Sequence, residues 1–219
     1  MTIEEIKTRR LMLRPLTDEE LRARIAEEGE AHMRQALSEM LSGCETDPAH
    51  RLWYTEWQVF RREDGQLVGS AGFKGPAAAH EAEIGYGIDE PFQSQGFATE
   101  AAQGLIDWAF EQDSELIYMT AEAEEDNAAS LRVLEKLGFV RYGMGEEGPR
   151  FELERPESSM LAVYMCLGTA IGCALGTSLH KYGFYMPVGI GLGAAVGALL
   201  DKKEKERREQ IAAERKAGR

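Results

Sequence analysis

The sequence predicts an α+β domain, with a mixed, largely antiparallel sheet flanked by helices, followed by a C-terminal two-helix hydrophobic hairpin. Three observations point there. Along residues 1–157 the apolar spacing switches between that of a strand and that of a helix, in the order strand, helices, three strands, helix, strand, helix, two strands. Charge then changes abruptly: residues 1–157 hold 16 basic and 33 acidic side chains, a net of −17, whereas the remainder holds 9 and 5, a net of +4. Finally, residues 160–179 and 182–200 are apolar throughout, and each carries glycines four residues apart.

Taken in order, residues 10–16 alternate apolar and polar side chains and read as the first strand. Thr17 followed by Asp18, Glu19 and Glu20 marks a helix start, and helical spacing continues with interruptions to about residue 40, with breaks at Ser42-Gly43 and Asp47-Pro48. Residues 55–62 and 67–73 are strand candidates joined by a turn through Asp64-Gly65. Trp53, Tyr54 and Trp57 precede this hairpin. They either pack in the core, the favoured reading, or line an acceptor pocket. Residues 83–88 form a further strand ended by Pro91, and residues 99–111 show a helical apolar face at Ala101, Leu105, Trp108 and Ala109. A strand follows at 116–121. Asp126 or Asn127 caps a helix that Gly138 terminates, and a final hairpin spans 139–142 and 150–154.

The C-terminal segments are each about 20 residues, roughly 30 Å as helices, enough to cross a bilayer core. Gly168, Gly172 and Gly176 recur every four residues, as do Gly189, Gly193 and Gly197. Mid-helix glycines cost about 1 kcal/mol each against alanine in water, but in a membrane they form a groove in which helices approach closely. The division expected is a globular α+β domain over 1–157, a glycine-zipper transmembrane hairpin over 158–200 with a turn at His180-Lys181-Tyr182-Gly183, and a charged tail over 201–219. Lys202, Lys203, Lys205, Arg207 and Arg208 place both ends on the cytoplasmic side of a membrane. The glycine stripes also leave homo-oligomerisation open, as they do a soluble hairpin.

Composition narrows the function. Across 219 residues, 43% hydrophobic and 29% charged content describes a globular chain rather than a disordered one. A net charge of −13 argues against a nucleic-acid partner. Cys44, Cys166 and Cys173 are too scattered for a disulfide framework and fit a reducing compartment. His32, His50, His80 and His180 lack metal-ligand spacing, so no metal is expected. The charged first twelve residues do not read as a signal peptide.

One stretch carries chemistry. A strand ending near Ile88 enters the loop Gln93, Ser94, Gln95, Gly96, Phe97, Ala98 and Thr99, and a helix begins directly after it. Unpaired amides and the positive end of the helix dipole converge there, which suits a pyrophosphate. Gly96 lets the backbone approach phosphates, and Ala98 leaves room. The pattern is neither GxGxxG nor a nucleoside-triphosphate loop.

Gln93, Gly96 and Ala98 match the (Q/R)xxGx(G/A) motif of the GCN5-related N-acetyltransferase (GNAT) family, which this chain resembles. The likeness runs over about residues 8–155, through the stretches beginning at Thr8, Gly69 and Glu83 to Asn127-Ala-Ala-Ser130 and Gly138-Phe139, the last similar to the ribosomal-protein N-acetyltransferase branch. The resemblance implies acetyl transfer from acetyl-CoA, as co-substrate, to a primary amine on a small molecule or a protein N-terminus, by direct attack in a ternary complex. It implies that Tyr86, Gly87 and Ile88 line a pantetheine arm, that the amides of residues 93–99 hold the pyrophosphate, and that Asn127 and Ser130 meet the cofactor. The chemistry asks for a general base, with Glu83 the first candidate and Glu122 the second, and a backbone N–H from 86–88 for the oxyanion. Where part of the family carries a tyrosine acid, this chain has Leu134, so no general acid is assigned. The alternative is a non-catalytic acetyl-CoA-binding sensor or scaffold attached to a membrane hairpin. The acidity of the first domain would favour a cationic acceptor, or serve solubility alone.

Overall fold

The computed structural model describes residues 4–145 and 148–217. Residues 1–155 and 156–219 form two compact units.

The first unit runs β1 (Ile6–Lys7), β2 (Leu11–Pro15), α1 (Asp18–Glu27), α2 (Ala31–Thr46), α3 (Arg51–Tyr54), β3 (Trp57–Arg61), β4 (Leu67–Phe73), β5 (Glu81–Ile88), α4 (Phe97–Gln112), β6 (Tyr118–Glu122), α5 (Ala128–Leu137), β7 (Val140–Met144) and β8 (Pro149–Glu154). Strands stand in the order β1-β2-β3-β4-β5-β6-β8-β7. All neighbours are antiparallel except β5 and β6. This is the α+β layout expected.

Local chemistry sets the boundaries. Thr17 makes a full capping box: its hydroxyl accepts from Glu20 N, and Glu20 Oε2 accepts from Thr17 N at 2.8 Å. Asn127 Oδ1 accepts from Ser130 N and starts α5, and Gly138, at φ +85°, ends it. Two expectations need correction. Residues 6–7 form an edge strand too short to leave a period. Helix α2 does not break at Ser42-Gly43 but runs on to Thr46. The reason is packing, since a Cβ on Gly43 would run into the Tyr54 ring. Glycine here lets a helix lie against an aromatic face.

The main core lies between one sheet face and helices α4 and α5, and includes Leu11, Leu13, Trp57, Val59, Leu105, Ile106 and Met119. Trp53, Trp57, Phe73 and Trp108 pack ring against ring at 4.8–5.8 Å. Trp53 and Trp57 are therefore core. Leu16, Leu21, Leu37 and Cys44 make a smaller core under α1 and α2, joined by Tyr54. The strand registers place Gln58, Ser70 and Gly87 in one row, and Gly72 beside Gly85, all on the face opposite Trp57.

In the second unit, α6 (Met160–Leu179) and α7 (Tyr182–Ala217) form an antiparallel hairpin turning at His180 and Lys181, with His180 in the left-handed region at φ +53°. Both helices are long and apolar enough to cross a membrane. Helix α7 continues without a break through Leu200 into the charged residues. The glycine stripes face each other within the chain: Cβ atoms added at Gly168 or Gly189 would strike the other's carbonyl, and one at Gly193 would strike the Tyr164 carbonyl. In α6 only Gly168, Gly172 and Gly176 are buried, while Leu167, Ile171 and Leu192 are more than half exposed. At the open end Asp201 accepts from Met160 N (2.6 Å), Leu161 N and the Ser159 hydroxyl, and so caps α6 from α7. Those bonds, the Met160 amide foremost, hold the Asp201 carboxyl below its usual range.

Gly193→Val should separate the two helices, costing about 1–3 kcal/mol of hairpin stability. Amide exchange should then rise in α6 and α7 and stay unchanged in α4.

Candidate active site

The site begins with an interruption in the sheet. β5 and β6 pair only at Glu81↔Tyr118, Ala82↔Met119 and Glu83↔Thr120. Beyond these, β6 continues to pair with β8 through Glu122↔Arg150, while residues 84–88 of β5 keep only β4 as a partner. The strands thus open a gap with one unpaired edge of β5, and an exposed Gly85 and Gly87 line that edge without side chains. Tyr86 points to the other face, where its hydroxyl lies 3.2 Å from Ser130 Oγ in α5. Burial pushes the Tyr86 phenol up, against the opposing effect of the Ser130 hydrogen bond.

From the end of β5 the chain makes a short 3-10 turn over Glu90–Phe92 and enters the loop. Gln93 Nε2 donates to Ile88 O at 2.9 Å, tying loop to strand. Ser94 (φ +61°) and Gly96 (φ +80°) are both left-handed, and the successive reversals turn the amides of the loop outward. Gly96 is the N-cap of α4 and supplies no side-chain cap. Among the described residues, the amides of Ser94, Gln95, Gly96, Phe97, Ala98 and Thr99 donate no hydrogen bond. Such a row at a helix N-terminus has the geometry that suits an anion. The Phe97 side chain is buried, so only its amide can serve.

Arg10 and Glu100 hold this loop from behind. Glu100, in the first turn of α4, would repel an anion if it faced the loop. It is turned away, accepting from the Thr8 hydroxyl (2.7 Å), Arg10 N (2.6 Å) and Arg10 Nε (2.6 Å). Arg10 in turn donates to Gln95 O at 3.0 Å and stacks over Phe97 at 4.6 Å. Burial raises the Glu100 pKa, but the Thr8 and Arg10 bonds outweigh it and hold the carboxyl below its ordinary 4.5. Sequence reading missed this clamp, because its partners lie some 90 residues apart. An acidic residue in a helix first turn is otherwise unremarked.

The two candidate bases fall in one ion-pair cluster. Lys74 Nζ is 2.6 Å from Glu83 Oε1. Arg150 lies 3.2 Å from Glu81, 3.8 Å from Glu83 and 3.9 Å from Glu122. Glu122 is nearly buried, and a Cβ on Gly145 would collide with its carboxylate. The structure therefore brings Glu83 and Glu122 together through Arg150, Tyr86 and Ser130 by direct contact, and Ile88 and Gln93 likewise. Asn127 sits three residues from Ser130 with its side-chain oxygen used as the α5 cap. Leu134 is buried in the main core, where no acid is available. Among the described residues no group of three or more His, Cys, Asp or Glu could hold a metal ion.

Glu100→Gln should loosen the loop by about 1–3 kcal/mol. Because the folded pKa lies below the ordinary 4.5, the carboxylate stabilises at pH above that value and loses the effect as pH falls through the folded one. Acid unfolding of the variant should consequently be less steep than that of the parent.

Residues 10–140 match the family described as acetyltransferase (GNAT) domain. The chain is 35% identical over 88 residues to the uncharacterized N-acetyltransferase YjdG of Bacillus subtilis, covering 40% of this chain and 52% of that protein. It therefore spans about half the length of that relative. It is 32% identical over 154 residues to the uncharacterized N-acetyltransferase YoaA of the same organism, covering 64% of this chain and 84% of that one. Among solved structures, an acetyltransferase from Agrobacterium tumefaciens shares the fold at a TM-score of 0.55 and 22% identity, over 71% of this chain and 96% of its own. A ribosomal alpha-N-protein acetyltransferase in complex with coenzyme A shares it at 0.52 and 18%, over 69% and 96%. With the splayed strands and the open amide loop in place, and with more than half of its length matched, the chain belongs to the GNAT acetyltransferase family.

Proposed function

We propose that the first unit transfers an acetyl group from acetyl-CoA to a primary amine by direct attack in a ternary complex. The observation that carries this reading is the row of undonated amides from Ser94 to Thr99, set at the end of a strand whose other edge is unpaired. The residues fit the co-substrate: the amides match a diphosphate, and the bare edge at Tyr86, Gly87 and Ile88 offers backbone groups to a pantetheine arm. Asn127 and Ser130 would border that arm from the start of α5.

The protein's part in the reaction is positioning and charge management. The amine nitrogen forms a bond to the acetyl carbon, the carbon–sulfur bond breaks, and the electron pair leaves on sulfur, which receives through water the second proton that the nitrogen sheds. A backbone N–H of residues 86–88 receives the negative charge that develops on the carbonyl oxygen. Glu83, or Glu122 through water, takes the proton that the ammonium gives up. Lys74 and Arg150 pair with these carboxylates and fix their positions. The same ion pairs, together with Leu134 at the position of the family's tyrosine acid, favour a second reading: an acetyl-CoA-binding sensor or scaffold without turnover.

The second unit is proposed to be a membrane hairpin with the first unit on the cytoplasmic side. Its support is the inside-out distribution of side chains, glycines between the helices and Leu167, Ile171, Val188 and Leu192 outward. Water would reverse that arrangement, and lipid requires it. Lys202, Lys203 and Lys205 give the orientation. Since the glycine stripes are occupied by each other, an assembly of several copies would use the outer aliphatic faces.

A thiol-release assay with acetyl-CoA and an amine panel separates transfer from mere binding: turnover on at least one amine is expected, and binding without turnover establishes the sensor. Gly96→Glu should abolish acetyl-CoA binding in calorimetry, because it puts a carboxylate and a strained φ into the amide row. Full-length protein should require detergent for extraction, and recovery in a detergent-free supernatant would remove the membrane assignment.

A further inference from the structure

On the face of the sheet opposite the main core, a cleft of about 280 Å³ opens beside the end of β5, lined by Arg24, Glu56, Gln58, Ser70, Gly87 and Ile88 among others. Gly87 and Ile88 belong to the bare strand edge described above, so the cleft reaches the place where an acetyl group would be presented. Its floor carries no side chain at Gly87, and a Cβ there would meet nothing within 4 Å. About nine waters' worth of liquid volume would fill it. That accommodates a small head group and not a multi-ring amine.

Two polar atoms in this cleft are incompletely matched. Glu56 is 6% exposed and its Oε1, shut off from solvent, has no hydrogen-bond partner among the described residues. Arg24 Nε is in the same condition. The two side chains form an ion pair at 3.3 Å between Arg24 Nε and Glu56 Oε2, yet neither orphan atom is satisfied by it. A buried carboxylate oxygen without a donor is a costly arrangement that binding sites retain. Trp57 next to it fills the core side, and Gln58 one step on is occupied with Arg14 at 3.1 Å. The Arg24 side chain is 41% exposed.

A ligand that completes both atoms needs a hydrogen-bond donor for Glu56 and an acceptor for Arg24 side by side. A simple alkylamine supplies only the donor. A polyamine supplies donors only and places a second positive charge near Arg24. An ammonium with a carbonyl oxygen on the adjacent carbon supplies both. We propose that this cleft is the acceptor subsite and that it selects an α-aminoacyl group, with Glu56 receiving the ammonium and Arg24 the neighbouring carbonyl oxygen. A free amino acid and a peptide N-terminus share this chemistry. The assignment rests on the acetyl-transfer reading and makes Glu56 a binding residue distinct from the Glu83 and Glu122 cluster.

The test uses the full chain, acetyl-CoA and thiol release, with alaninamide, isopropylamine, spermidine, free alanine and a trialanine peptide as acceptors. Isopropylamine is alaninamide with a methyl in place of the carboxamide. Alaninamide should exceed isopropylamine and spermidine by about tenfold or more in kcat/KM. Glu56→Gln should lower kcat/KM for alaninamide by about tenfold, chiefly through KM, and leave acetyl-CoA affinity unchanged in calorimetry. Arg24→Gln, which keeps a hydrogen-bonding side chain beside Glu56, should bring the alaninamide-to-isopropylamine ratio toward one. Preference for free alanine or for trialanine identifies the source of the group, and either supports the proposal. If acetyl-CoA binds but Glu56→Gln keeps kcat/KM within about twofold for every acceptor, the subsite is overturned while acetyl transfer stands. Equal use of spermidine or isopropylamine overturns it too, as does turnover on none of the five. Failure of the parent chain to bind acetyl-CoA removes both readings.

Discussion

The first unit depends on backbone groups left without backbone partners. A sheet normally satisfies both edges of an internal strand. Here β5 is internal yet has a neighbour on one side for only its first three residues. Its remaining length, and the amide row that follows at α4, are a standing demand for hydrogen bonds. The fold tolerates this because the rest of the strand is anchored. Five consecutive residues pair with β4, Tyr86 is tied to α5, and Gln93 is tied back to Ile88. The chemistry proposed for the protein is what satisfies that demand from outside.

The Arg10–Glu100 pair shows how such a demand is kept in shape. An unfilled row of amides at a helix start attracts any nearby carboxylate, and Glu100 is in the same helical turn. By accepting three hydrogen bonds from residues 8 and 10, it is withdrawn from the loop, and the guanidinium that withdraws it also supports the loop carbonyl at Gln95. A negative group is thus removed and a positive one brought close in a single arrangement.

Much of this was legible in the sequence, and the exceptions have physical causes. Periodicity located β4 to the residue and α4 to within two, because one face of each is apolar and the other polar. The glycine triplets foretold a close helix pair, since that spacing has few other uses. The turn signal at Gly43 misled because glycine there answers to the Tyr54 ring, a contact between elements that no local pattern records. The 93–99 loop was readable because its geometry resides in the backbone and therefore in small residues at fixed spacing. Long-range clamps such as Arg10–Glu100, and the sharing of Arg150 by Glu81, Glu83 and Glu122, required the strand order before they could be seen.

Asp201 has a consequence for how the hairpin is made. The first turn of α6 draws its cap from a residue some forty positions later in the chain. A nascent α6 emerging from the ribosome therefore lacks that cap, and its amides stay open until α7 has been translated to its charged end. The two helices mature as one unit, after the first unit ahead of them has emerged.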